Sequence, residues 1–163
     1  MRKRQPDSEA ERLVRTYADL ILRLSYTYLK STHDAEDICQ NVLIKLLQGG
    51  HAFESAEHER AWVVRTTANA CKDVLRSGRR RTSVALDAAA EAAAPEAPDD
   101  DVLDAVMALP QAYREALYLH YYEGYTAREI AQMTGRTEDA VAAHLSRGRA
   151  KLRAALEGAD DDR

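Results

Sequence analysis

An all-α fold is predicted by two observations on this 163-residue chain. Its composition favours good helix formers, while 7 Gly and 4 Pro are few for a β protein. Its apolar residues recur at three- and four-residue steps, the period that puts them on one face of a helix. The expected arrangement is two small helical domains, residues 1–81 and 102–163, joined by a flexible acidic Ala/Pro-rich linker over 82–101. In the first segment Leu13, Val14, Tyr17, Leu20, Ile21, Leu24 and Tyr28 form a stripe from about Ser8 to Lys30. A second helix is expected from Asp34, with acids Asp34, Glu36 and Asp37 in its first turn, where the helix dipole favours them. Its buried face reads as Ile38, Cys39, Val42, Leu43, Leu46 and Leu47, and Gly49–Gly50 ends it. A third helix runs from about Glu57 to Ser77, with a stop expected at Gly78. Val102 to Met107 makes a short helix, and another runs from Pro110 to Tyr122.

The net charge of −4 is unevenly distributed. Residues 1–81 carry 15 bases and 11 acids, 82–101 carry 6 acids and no base, and 102–163 carry 8 bases and 10 acids. The overall balance excludes a general DNA-coating protein, so local charge decides. No apolar run reaches the roughly 20 residues of a membrane span, and no membrane insertion is expected. The basic N-terminus has no apolar stretch behind it and does not read as a secretory signal. Cys39 and Cys71 give neither a disulfide framework nor zinc spacing. A cytoplasmic protein without cofactor or metal, and not an enzyme, is expected: no nucleophile–base signature is present.

The most specific segment is Tyr125–Arg153. Thr126-Ala127-Arg128-Glu129 reads as a capping box, Gly135 as a turn with positive φ, and Thr137 as the cap of a further helix. Val141, Leu145, Leu152 and Leu156 recur along that helix. Two helices joined by a short Gly-containing turn match the DNA-binding helix-turn-helix. His144, Arg147, Arg149, Lys151 and Arg153 are read as the polar face of its second helix, available to phosphates or base edges.

The stretch LPQAYREALYLHYYEGYTAREIAQMTGRTEDAVAAHLSRGRAKLRAAL resembles the promoter-reading domain of bacterial sigma factors. DAEDICQNVLIKLL resembles their polymerase-docking helix, and ERAWVVRTTANACKDVLRSGRRR the helix that reads and melts the −10 element. Two such domains on a linker are the layout of the extracytoplasmic-function group of the sigma-70 family. The resemblance implies a promoter-specificity factor that binds core RNA polymerase at the largest-subunit clamp and flap, binds promoter DNA, and in many members is held by an anti-sigma factor.

It also implies sites. Asp37, Gln40, Asn41, Ile44 and Lys45 would meet polymerase, with Asn41 departing from the acid usual there. The −10 element would fall to the loop Gly49–Glu59 with His51 and Phe53, and to Trp62, Arg65, Asn69, Lys72, Asp73, Arg76, Arg79 and Arg80. Trp62 also reads as ordinary core. The −35 element would meet Arg136, Thr137, Glu138, Ala140, Ala143, His144, Arg147, Arg149 and Lys151. Here Ala142 and His144 replace the family's basic residues, and Glu138 with Asp139 puts acid at the helix end that faces DNA. An unusual or weak −35 preference is expected. A polymerase-independent helix-turn-helix regulator, or a helical interaction protein with no DNA role, remains an alternative on the residues alone.

Overall fold

The computed structural model describes residues 8–85 and 101–161, with side chains described for 8–78 and 102–158. Among the described residues all regular structure is helical. The chain divides into two compact units, Met1–Ser77 and Gly78–Arg163.

The first unit holds α1 (Glu9–Leu29), α2 (Thr32–Gln48) and most of α3 (Ala56–Ala85). Ser8 starts α1 by accepting a hydrogen bond from the Glu11 amide at 3.3 Å. Lys30 ends it in the left-handed region (φ 53°), its amide donating to the Tyr26 carbonyl at 2.9 Å. The second helix starts at Thr32, ahead of the expected Asp34. Ser31 is its cap and accepts from the Asp34 amide at 3.2 Å. Helices α1 and α2 pack as a pair, and their core is Leu13, Tyr17, Leu20, Ile21, Leu24, Tyr28, Ile38 and Val42. Helix α3 buries Val63, Val64, Thr67, Ala68 and Cys71.

Two expectations are corrected here. Leu47 is 48% exposed rather than buried. Helix α3 does not stop at Gly78 but continues to Ala85, inside the stretch read as linker. Gly78 is not among the residues with positive φ. A helical glycine costs only about 1 kcal/mol relative to alanine, too little to end a helix flanked by good formers. Residues 86–100, the rest of that stretch apart from Asp101, lie outside the described residues.

The second unit holds α4 (Asp101–Met107), α5 (Gln111–Leu117), α6 (Ala127–Thr134) and α7 (Glu138–Asp161). The expected helix to Tyr122 changes character after Leu117: residues Tyr118–Tyr122 form a π turn, with the Glu123 amide reaching back to Tyr118 at 3.3 Å. Helix α7 packs against α4, α5 and α6. Its inner stripe is Val141, Leu145 and Gly148, with Leu152 half-buried below them. A side chain at Gly148 would place Cβ 3.2 Å from Leu117 Cδ1 and 3.5 Å from Tyr113 Cβ, so this glycine sets how closely α7 meets α5.

Candidate nucleic-acid interfaces

The outward face of α2 gathers five of the expected residues. Asp37, Gln40, Asn41 and Ile44 follow the three- and four-residue steps of one helical stripe, and Lys45 flanks them. All five are exposed. Ile44, at 49% exposure, is joined by Leu47, which the periodicity had assigned to the core. The result is an apolar centre with a polar rim, the composition of a protein-binding surface.

The loop after α2 closes on itself through aromatic rings. The Phe53 ring stacks on His51 (5.4 Å, 29°) and meets His58 edge-on (5.4 Å, 89°). Trp62 approaches His51 at 4.5 Å and Phe53 at 6.1 Å. Trp62 is therefore half-buried in a loop cluster, not sealed in the core. The fold of the loop depends on Gly49: a Cβ there would lie 2.1 Å from His51 Nε2 and 2.8 Å from the Lys45 carbonyl.

Charge fixes the start of α3 beneath this cluster. Ser55 caps it, accepting from the His58 amide at 3.1 Å. Glu59 takes two bonds from the Arg12 guanidinium (3.1 and 2.9 Å) and one from the Tyr17 hydroxyl (2.6 Å). Arg12 also grips Glu9 at 2.6 Å. The Arg12 bonds hold the Glu59 carboxyl below the usual carboxylate range, against the opposing pull of burial. Burial, then the Glu59 bond, raises the Tyr17 phenol. This network was missed in the sequence because Arg12 and Glu59 are 47 positions apart.

Along α3, Trp62, Arg65, Asn69, Lys72, Asp73 and Arg76 form one helical stripe running away from the aromatic cluster. Asp73 pairs with Arg76 at 2.7 Å in full view of solvent, which leaves it little energetic weight. The side chains of Arg79 and Arg80 lie outside the described residues.

In the second unit the helix-turn-helix forms as expected. The Thr126 hydroxyl oxygen accepts from the Glu129 amide at 3.2 Å and its proton goes to the Glu129 carboxylate at 3.0 Å. Gly135 turns the chain at φ 72°, donating to the Ala131 carbonyl. Thr137 caps α7, accepting from the Ala140 amide at 3.1 Å. Thus Thr137 is occupied as a cap.

The expected polar face of α7 is redistributed. Glu138 and Asp139 are exposed in the first turn, with Ala140 and Ala143 half-buried. Arg147 and Arg149 are exposed, but two residues at about 100° each place them on opposite flanks of the helix. Lys151 lies on the Arg147 flank. Among the described residues none of these three cations pairs with an acid. Arg149 instead donates to the Tyr121 hydroxyl at 2.9 Å.

His144 departs most clearly from the exposed polar face expected of it. It sits one turn from Val141 and Gly148, on the inner side of α7, with its ring 5.4 Å from Tyr113. Its Nδ1 is buried without a partner. Burial, then the Arg136 charge, lowers its pKa and favours the neutral ring. Arg136 turns inward as well, reaching Glu115 Oε2 at 3.5 Å. Glu115 is 1% exposed; Gln111 donates to the same oxygen at 3.1 Å, while Oε1 has no partner. Its neighbour Arg114 is also buried and donates to the Leu109 carbonyl at 2.7 Å. Nothing in the local pattern marked Arg114 and Glu115 as interior.

No group of three or more His, Cys, Asp or Glu suited to a metal occurs among the described residues, and no described helix is long and apolar enough to cross a membrane.

Fold and surfaces together define an all-α protein in which a helical unit bearing an aromatic loop is followed along the chain by a helix-turn-helix unit. The sigma-70 region 2 profile matches residues 13–81, and the profile for sigma-70, region 4 matches 99–152. The RNA polymerase sigma factor CarQ of Myxococcus xanthus is 30% identical over 129 residues, covering 75% of this chain and 74% of CarQ. The ECF RNA polymerase sigma factor SigE of Mycolicibacterium smegmatis is 29% identical over 154 residues, 88% of this chain. The match spans 60% of SigE's own length. The fold matches that of the sigma factor RpoE from Bartonella quintana, solved in complex with the anti-sigma factor NepR, with TM-score 0.68 at 19% identity, over 93% of this chain and 98% of that one. The chain belongs to the sigma-70 family of RNA polymerase sigma factors.

Proposed function

We propose that this chain is a promoter-specificity factor of the extracytoplasmic-function kind. It docks on core RNA polymerase and directs initiation without carrying out chemistry itself; polymerase performs the phosphoryl transfer. The observation that carries the reading is the order of surfaces along one chain. An apolar-centred helix face comes first, then an aromatic loop leading into a cationic helix stripe, then a helix-turn-helix.

The α2 face (Asp37, Gln40, Asn41, Ile44, Lys45, with Leu47 added) docks on the polymerase clamp, and the second unit lies near the flap. The loop with His51, Phe53 and Trp62 receives an unstacked −10 base. Stacking against rings offsets the few kcal/mol that unstacking costs. Arg65, Lys72 and Arg76 follow the phosphates of the melted strand, and Arg79 and Arg80 would extend that track. The recognition helix α7 enters the −35 major groove with Glu138, Asp139, Ala142 and Ala143 leading. Acids at that end weaken attraction for phosphate and can accept from cytosine amino groups. The acidic stretch between α3 and α4, residues 86–100, serves as the linker between the two domains. The protein works in the cytoplasm, and an anti-sigma factor is a candidate regulator, as in the RpoE–NepR complex.

Transcription in vitro with purified core polymerase on a genomic promoter library tests this. Specific start sites that appear only with the protein, and that weaken in the Trp62→Ala variant, are expected. DNA binding without any polymerase-dependent transcript would instead favour the polymerase-independent regulator.

A further inference from the structure

Tyr121 has no place in the reading above, yet it is 60% exposed and stands beside the recognition helix. It projects from the π turn that precedes the helix-turn-helix. Such one-turn bulges are frequent at functional sites. Its ring is held: His120 packs edge-on against it at 4.8 Å and 81°, and His120 Nδ1 is itself bonded to the Tyr125 carbonyl at 2.6 Å.

The Tyr121 oxygen accepts an N–H from Arg149 at 2.9 Å. A phenol that accepts still has its own proton to give, and a guanidinium has five N–H donors. The two groups therefore converge as donors on one point at the flank of α7. Among the described residues no acid neutralises Arg149. A ligand that satisfies both donors is an anion with acceptor oxygens. Arg147 and Lys151, also without acidic partners, lie on the other flank of the same helix, so cations border α7 on both sides and the anion fits as one unit of a polyanion that the helix enters between. Arg149 stands eleven residues past the start of α7, about 16 Å along the axis. That is beyond the N-terminal turns that meet base edges in this motif.

We propose that Tyr121 and Arg149 form a two-donor grip on a single phosphate of duplex DNA. Tyr121 orients the guanidinium and contributes its own hydroxyl. The grip fixes the register of the recognition helix and carries no sequence information. The inference rests on the DNA-binding role proposed for the second unit.

The test is binding of the full chain to a labelled random-sequence duplex by fluorescence anisotropy over a range of salt. Arg149→Gln should weaken binding and lower the salt slope by about 0.9, one phosphate's share. Tyr121→Phe, which keeps the ring, should weaken binding about fivefold, as expected for one lost hydrogen bond. In the Arg149→Gln background, Tyr121→Phe should cost less than about twofold, because coupled groups are not additive. Lys151→Gln should lower the slope without any such coupling to Tyr121. Wild-type affinity in Tyr121→Phe, or full additivity with Arg149→Gln, overturns the grip and leaves the proposed function standing. Absence of any salt-dependent DNA binding by the wild-type chain overturns both.

Discussion

Glu59 in the first unit and Glu115 in the second are both largely buried carboxylates facing an arginine, and their surroundings differ. Glu59 receives two bonds from Arg12 and one from Tyr17, all at 3.1 Å or less. Glu115 has a long contact to Arg136 at 3.5 Å and a Gln111 bond at 3.1 Å, both on one oxygen, while its other oxygen has no partner. The first arrangement ties α1 to the start of α3, the helix whose first two turns carry His58 and Trp62. The second sits under the recognition helix and holds it less tightly. The start of α3 is thus held by charge, whereas the recognition helix is held chiefly by the apolar stripe Val141, Leu145 and Gly148.

The contrast can be broken by substitution. The largest effect is expected from Glu59→Ala, about 3 kcal/mol of stability, because Tyr17 and Arg12 lose their shared partner. Glu115→Gln, by comparison, should cost under about 1 kcal/mol, since the ion pair it removes is long and incomplete. Urea denaturation of the full chain compares the two; equal losses would erase the distinction. Next comes Gly148→Val, expected to cost about 2 kcal/mol through overpacking against Leu117 and Tyr113. Its DNA affinity should fall as well, as α7 is pushed from α5. Gly135→Ala should cost about 1 kcal/mol, the penalty for a side chain in the left-handed region, with no clash to add to it.

The smallest effect is on pH dependence, and it separates the units in order. His144 has a lowered folded pKa, so the unfolded chain takes up its proton first. Its contribution is complete above about pH 6.5 and is lost as pH falls below that. Glu59 is also lowered, from the carboxylate range, so its contribution persists until pH drops below about 4.3 and is lost through the lower folded value. His144→Gln should flatten the stability profile in the mildly acidic range, and Glu59→Gln only in the strongly acidic range. Thermal melts at stepped pH check both.

The same contrast explains what could be read in advance. The helix-turn-helix was legible because its signals are local: Thr126, Gly135 and Thr137 act within four residues of themselves. The α2 face was legible for the same reason, except Leu47, whose apolar character says nothing about which side of the helix has a neighbour. Trp62 reads first as ordinary core, because Ala61 and Val64 beside it are apolar, and only its ring contacts with His51 and Phe53 place it in the loop cluster. His144 reads as part of the polar face of a recognition helix, and the family resemblance adds Arg136 to the same −35 set. What turns them inward is Tyr113 and Glu115, residues on a different helix. Arg12–Glu59 has the same origin. Pairwise partners far apart in sequence leave no trace in periodicity, whereas caps, turns and stripes do.

The π turn at Tyr118–Tyr122 amounts to one residue more than an α-helix would spend on the same length. Excising a single amino acid there would let the turn relax to ordinary winding. The flanks would keep their mutual register, while the residues inside the turn would shift by one place, about 100° around the axis. Tyr121 would swing off the Arg149 flank without any change in side-chain chemistry. For this segment a change of chain length is a harsher lesion than an exchange of residues.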